Sequence, residues 1–165
     1  MPSTFTAEWD RLLVMTKSHH LLAGELACLD TCWPHAHAHA WAIDQMPSPA
    51  YCCSVDGHIV HRNAAADRIW GELPAPFENV RWDGFAKIRD LDGQPIAMDA
   101  SPAARAALGE SLGPVEMTAD CYDGHARRVI SHAKPIFLED GSVVGSFCCL
   151  VDVSEKRLLE ERSRN

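Results

Sequence analysis

A chain of 165 residues with 47% apolar content has the material for one domain with extensions and a packed core, which argues against wholesale disorder. Its formal net charge of −8, with no long run of Lys or Arg, argues against a nucleic-acid partner. No apolar run approaches the ~20 residues of a membrane span, and Glu8 and Asp10 stand where a signal peptide needs an apolar segment, so a cytoplasmic protein with reduced cysteines is expected.

From the N-terminus, residues 5–30 predict an amphipathic helix: Trp9, Leu12, Leu13, Leu22, Leu26 and Leu29 fall mostly on one broad face, with Glu8, Asp10, Arg11, Lys17 and Glu25 off it. Trp33-Pro34 stops it. Pro34 to Trp41 alternates His and Ala, and Met46-Pro47-Ser48-Pro49 reads as a stiff linker. Two short strands follow around Asp56-Gly57, then a short helix that ends at Trp70-Gly71. Residues 73–78 are loop, and Trp82 to Ile88 is a short helical or irregular piece. Pro102 to Leu112 predicts a helix with proline near its start.

The last third is the most regular. Val115, Met117, Ala119 and Cys121 alternate with Glu116, Thr118, Asp120 and Tyr122, the period of a strand with one buried face. Asp123-Gly124 turns the chain into a strand over 127–137, and Asp140-Gly141 turns it into another over 142–151. At Asp152-Val153-Ser154-Glu155 the period changes to that of a charged helix. Ser154 is the expected N-cap, and Glu155 puts negative charge at the helix's positive end.

Signatures of catalysis are missing. The chain has no Gly-x-Ser-x-Gly elbow, no Gly-rich phosphate loop and no His-Glu-x-x-His, and Asp56, Asp92, Asp123 and Asp140 each precede a glycine, where a turn role suffices. A non-enzymatic chain is expected. His35, His37 and His39 would share a face on an extended strand and so could converge on a metal, whereas on a helix they would fan out; no fourth ligand is evident.

Four segments together resemble the PAS sensor family. Val143 to Phe147 running through Asp152-Val153-Ser154-Glu155-Lys156-Arg157 is similar to its closing strand and exit junction. Ala50 to Asn63 with Ala64-Ala65-Ala66 resembles the opening hairpin and first helix; Asp92 to Ile96 with Pro102 to Glu110 resembles a middle segment; Asp123-Gly124 through Ile136 resembles the fourth strand. The resemblance implies an α+β PAS fold: a five-stranded antiparallel sheet with helices on one face. It divides the chain into a helical and His/Ala-rich extension (1–46), the PAS domain (47–153) and the start of a signalling helix (154–165). The N-terminal helix would cover the other face of the sheet or a second copy.

In that fold the first and last strands are neighbours, so Cys52 or Cys53 would lie beside Cys148 or Cys149, with one cysteine of each pair on each face. Four thiols there could oxidise or hold a soft metal; the alternative is that they fill the sheet as small apolar residues. No cysteine lies between Cys53 and Cys121 and no histidine between His61 and His125, so neither flavin-reactive cysteine nor haem ligation is implied and the cofactor stays unknown. Val55, Trp70, Phe85, Ile88 and Met117 would line an apolar ligand pocket or pack as a filled core. By resemblance, the function is that of a bacterial sensory and dimerisation module. It would be a homodimer through its N-terminal helix and pass a small-molecule or redox signal to an output domain such as a histidine kinase. The alternatives are a ligand-free interaction or scaffold domain, and a metal- or redox-responsive module using the histidines or cysteines.

Overall fold

The computed structural model describes residues 36–71 and 80–164. The predicted helix over 5–30, and His35 with it, lies outside them. The chain divides at Met46, and before that point stands helix α1 (Ala36–Asp44). From Ala36 the His/Ala segment is thus helical rather than extended. A helix turns about 100° per residue, so the extended backbone that would align alternate positions is not formed from Ala36 onward. No group of three potential metal ligands is found among the described residues.

From Met46 onward the order is β1 (Ala50–Ser54), β2 (Ile59–Arg62), α2 (Ala64–Trp70), β3 (Lys87–Arg89), β4 (Pro95–Ile96), a 3₁₀ turn (Met98–Ala100), α3 (Pro102–Ala107), β5 (Val115–Asp120), β6 (Ala126–Phe137), β7 (Val143–Asp152) and α4 (Ser154–Ser163). These strands form one antiparallel sheet in the order β2-β1-β7-β6-β5-β3-β4. The expected count of five is corrected to seven. The added pair, β3 and β4, extends the β5 edge, where Ile88 pairs with both Ala119 and Ile96. Elements of three and two residues are too short to show a period, and only Ile88 of β3 is buried.

Alternation decides which side chains face the helices. On β6, Val129, Ser131 and Ala133 are buried on the side of α2 and α3, while Ile130, His132 and Lys134 are half-buried on the other. Val129 faces Met117 across β5, and Ala133 faces Cys148 across β7. Helices α2 and α3 are short, and each has a side-chain N-cap. Asn63 Oδ1 accepts from Ala66 N at 2.9 Å and from Ala50 N at 3.1 Å, so one side chain starts α2 and holds the first residue of β1. Its Nδ2 donates to the carbonyls of Met46 and Ser48, which ties the proline-rich linker to the same point. Ser101 caps α3 at Ala104 N, 3.3 Å away, with Pro102 as the first helical residue. That helix ends at Ala107, short of the expected Leu112.

The two long hairpins turn on the predicted Asp-Gly pairs, with Asp123 Oδ1 accepting from His125 N at 3.0 Å and Asp140 Oδ1 from Ser142 N at 2.9 Å.

Candidate functional site

Two arrangements stand out: a buried polar cluster between the sheet and its helices, and an ion-pair junction where the sheet meets α4.

The cluster starts at β1. Tyr51 and Cys53 share the parity that faces the helices, and Tyr51 stands opposite Cys148 on β7. The Trp70 ring meets Tyr51 edge-on, with centroids 5.0 Å apart and planes at 67°. Tyr51 OH in turn donates to Asp83 Oδ1 at 3.3 Å. Asp83 is fully buried and its second oxygen has no partner; the indole Nε1 of Trp70, also buried, has none either. Burial pushes the Asp83 carboxyl up to about 6, with Ser101, Tyr51 and the Ala103 N–H offsetting part of the rise.

What brings Asp83 inside is the segment 80–86, which folds over the β1–β2 hairpin. Trp82 N donates to Gly57 O at 2.9 Å, and Cys53 Sγ donates to Trp82 O at 3.1 Å. The Trp82 backbone is left-handed, φ 54°, a conformation that costs a bulky residue energy and persists only where its surroundings impose it. Gly84 follows at φ 73°, and a Cβ there would stand 2.2 Å from Trp70 Cε2, so only glycine lets the loop close on the indole. Outside, Trp82, Phe85, Met98 and Tyr122 help line an open cleft of about 470 Å³.

Of the residues predicted to line a pocket, Trp70, Phe85, Ile88 and Met117 come together in one cluster, each no more than 1% exposed. Val55 does not join them. It is 54% exposed, because β1 ends at Ser54 and the turn carries Val55 outward. The same cluster includes Tyr51, and Asp83 touches it through the tyrosine; sequence reasoning missed both. An acidic residue between two aromatics, Trp82-Asp83-Gly84-Phe85, was the available signal.

The cysteines divide between faces as expected. Cys53 and Cys148 lie on the helical side, each facing a neighbour of the other (Ser146 and Tyr51), and Cys52 and Cys149 are placed likewise on the opposite side. The four thiols therefore form two diagonal pairs, not one group. Burial raises all four thiol pKa values, that of Cys149 to about 12, which makes them poor nucleophiles.

At the junction, Glu116 of β5 accepts from Arg128 Nε of β6 at 3.0 Å and from both Nε (2.9 Å) and Nη2 (2.6 Å) of Arg157 on α4. The two-bond contact with Arg157, backed by Arg128, holds the Glu116 carboxyl below its ordinary range. The turn before α4 is tied as firmly. Ser154 is the first helical residue, one past the N-cap position where it was expected. Its hydroxyl donates to Asp152 Oδ1 at 2.6 Å and accepts from Arg128 N at 2.9 Å, while Arg127 Nη1 donates to Asp152 Oδ2 at 3.2 Å. Adjacent residues of β6 thus grip both the end of β7 and the start of α4.

No curated protein matches the sequence. Among solved structures, the chain is similar to the PAS domain of a protein from Colwellia psychrerythraea, with 20% identity, 72% of this chain and 97% of that one covered and a TM-score of 0.50. It is also similar to a phage VqmA–DPO complex (15% identity, 78% of this chain, TM-score 0.50) and to an RNA-binding Light-Oxygen-Voltage receptor (17% identity, 87% of this chain, TM-score 0.54). The matches span 57% and 41% of those two chains, and at such identities the likeness is one of fold. A family profile described as PAS fold matches residues 43–158. The chain belongs to the PAS family.

Proposed function

We propose that this chain is the sensory input module of a signal-transduction protein, and that a small-molecule signal received at the Tyr51–Trp70–Asp83 cluster leaves through α4. The chain itself is non-catalytic in this reading, works in the cytoplasm as a homodimer, and drives an output unit such as a histidine kinase transmitter. The observation that carries the reading is the Glu116 junction. One carboxylate holds two strands and the exit helix together, so a shift of β5 against β6 changes what Arg157 can reach. Bidentate arginine pairing is directional, which lets such a shift reorient a helix rather than merely loosen it.

A second reading, a ligand-free interaction domain, is favoured by one observation. Trp70, Phe85, Ile88 and Met117 are packed with almost no exposed surface, and of the four only Phe85 borders the open cleft beside Trp82. Hydrogen exchange separates the readings at the junction. In Glu116→Gln the α4 amides should exchange roughly 5-fold faster or more, while the central strands β1, β7 and β6 keep their protection. Unchanged α4 protection would remove the route to an output.

A further inference from the structure

Three consecutive residues, Trp82-Asp83-Gly84, set backbone strain beside a buried charge. Trp82 at φ 54° and Gly84 at φ 73° are left-handed on either side of Asp83, so rotation at both swings the residue between them as a unit. The flanks are anchored. Phe85 is 1% exposed and Ala86 N donates to Asp120 O at 2.9 Å on one side, while Arg81 bridges to His58 on the other and its Nη1 donates to Asp56 O at 3.1 Å. Between these anchors the contacts are few. Trp82 N donates to Gly57 O at 2.9 Å, the thiol of Cys53 is a weak donor to Trp82 O, and Tyr51 OH reaches Asp83 Oδ1 only at 3.3 Å.

This lightly held turn buries a carboxyl group completely and leaves one of its oxygens without a partner. The titratable groups that face it are Tyr51 and Cys53 of β1 and Cys148 of β7, none of which carries positive charge in either form; α3 adds only the Ser101 hydroxyl and the Ala103 N–H. An ionised carboxylate buried without a cation is strongly disfavoured, so the group either keeps its proton or moves to water. We propose that Trp82-Asp83-Gly84 is a proton-operated gate, closed over Tyr51 and Cys53 while the carboxyl is protonated and shifted toward an open, solvated position when it ionises. This goes beyond the sensory reading and depends neither on a ligand nor on α4. The sign follows from burial. Closing raises the carboxyl from an ordinary 3.8 to about 6, so the closed position is held fully below the lower value and weakens as pH rises through the upper one.

The test is amide hydrogen exchange on the intact chain at pH 5 and 7.5, with each rate divided by that of an unstructured chain at the same pH. Protection of the Trp82 amide should fall roughly 10-fold over this range. At both pH values Trp82 should also exchange at least about 10-fold faster than the central amides of β6 and β7. In Asp83→Asn the fall at Trp82 should vanish, although His58 and Asp56 at the rim of the segment are unchanged. Protection of Trp82 that is the same at both pH values would overturn the proposal, and so would protection equal to that of β6 and β7, since the turn would then open only when the whole domain unfolds. Both of these outcomes are read on the natural chain and need no variant to fold. An equal fall in Asp83→Asn would assign the pH dependence to other groups and overturn it as well.

Discussion

Asp83 sits among groups that carry no positive charge: Tyr51, Cys53 and Cys148 around it are themselves raised by burial, and α3 offers only the Ser101 hydroxyl and the Ala103 N–H. Its folded value of about 6 exceeds the ordinary 3.8, so the folded state holds this proton more tightly than the unfolded chain does. Stability from this group is therefore complete below the unfolded value and is lost as pH rises through about 6. Two pKa units correspond to roughly 3 kcal/mol. Glu116, Asp140 and Asp152 have lowered values and push the other way, so the comparison must be with Asp83→Asn. Urea unfolding should show the variant gaining on the natural chain by about 2 kcal/mol between pH 4 and 7.5, and a constant gap would refute the buried carboxylate. Two neighbours offer further checks. Asn63→Ala removes the cap of α2 and the anchor of Ala50 together, and should cost about 1–3 kcal/mol in the same assay. Gly84→Ala meets both a positive φ and the Trp70 ring, and a loss below ~1 kcal/mol would mean that the loop does not close on the indole as described.

At the scale of elements, what was legible in the sequence was what repeats. Strand β5 alternates along its length, and Asp-Gly turns bound β6 on both sides, so the extents of β5, β6 and β7 and the facing of β5 were readable; β7, with consecutive buried residues, shows no alternation. Strands β3 and β4 are formed by pairing at the β5 edge and have no period of their own, so they were not readable. Of the site, large apolar residues were found because burial is their ordinary fate: Trp70, Phe85, Ile88 and Met117 all reached the core. Val55 continued the inward parity of Tyr51 and Cys53, but the strand stops one residue before it. Asp83 was invisible for the converse reason. A charged residue in a loop is normally solvated, and only the folding of segment 80–86 over β1 and β2 brings it inside. Glu116 was read merely as the polar side of an alternating strand, since nothing local reveals that α4 returns to it.

For the whole molecule, the PAS fold supplies a sheet whose first strand carries the polar cluster and whose last strand leads into α4. The proposed homodimer predicts that sedimentation equilibrium on the intact chain gives twice the 18.2 kDa protomer mass, and that a chain starting at Met46 dissociates. A monomeric intact chain, or a dimer indifferent to residues 1–45, would end that proposal. The central claim is that the cluster and the exit helix are coupled through Glu116. The most direct measurement is hydrogen exchange of the α4 amides in Asp83→Asn, Glu116→Gln and the double variant. Coupling predicts that Asp83→Asn alters α4 exchange several-fold when Glu116 is present and has little further effect when it is absent. If Asp83→Asn leaves α4 unchanged in the presence of Glu116, or changes it equally in both backgrounds, the cluster does not signal through this junction.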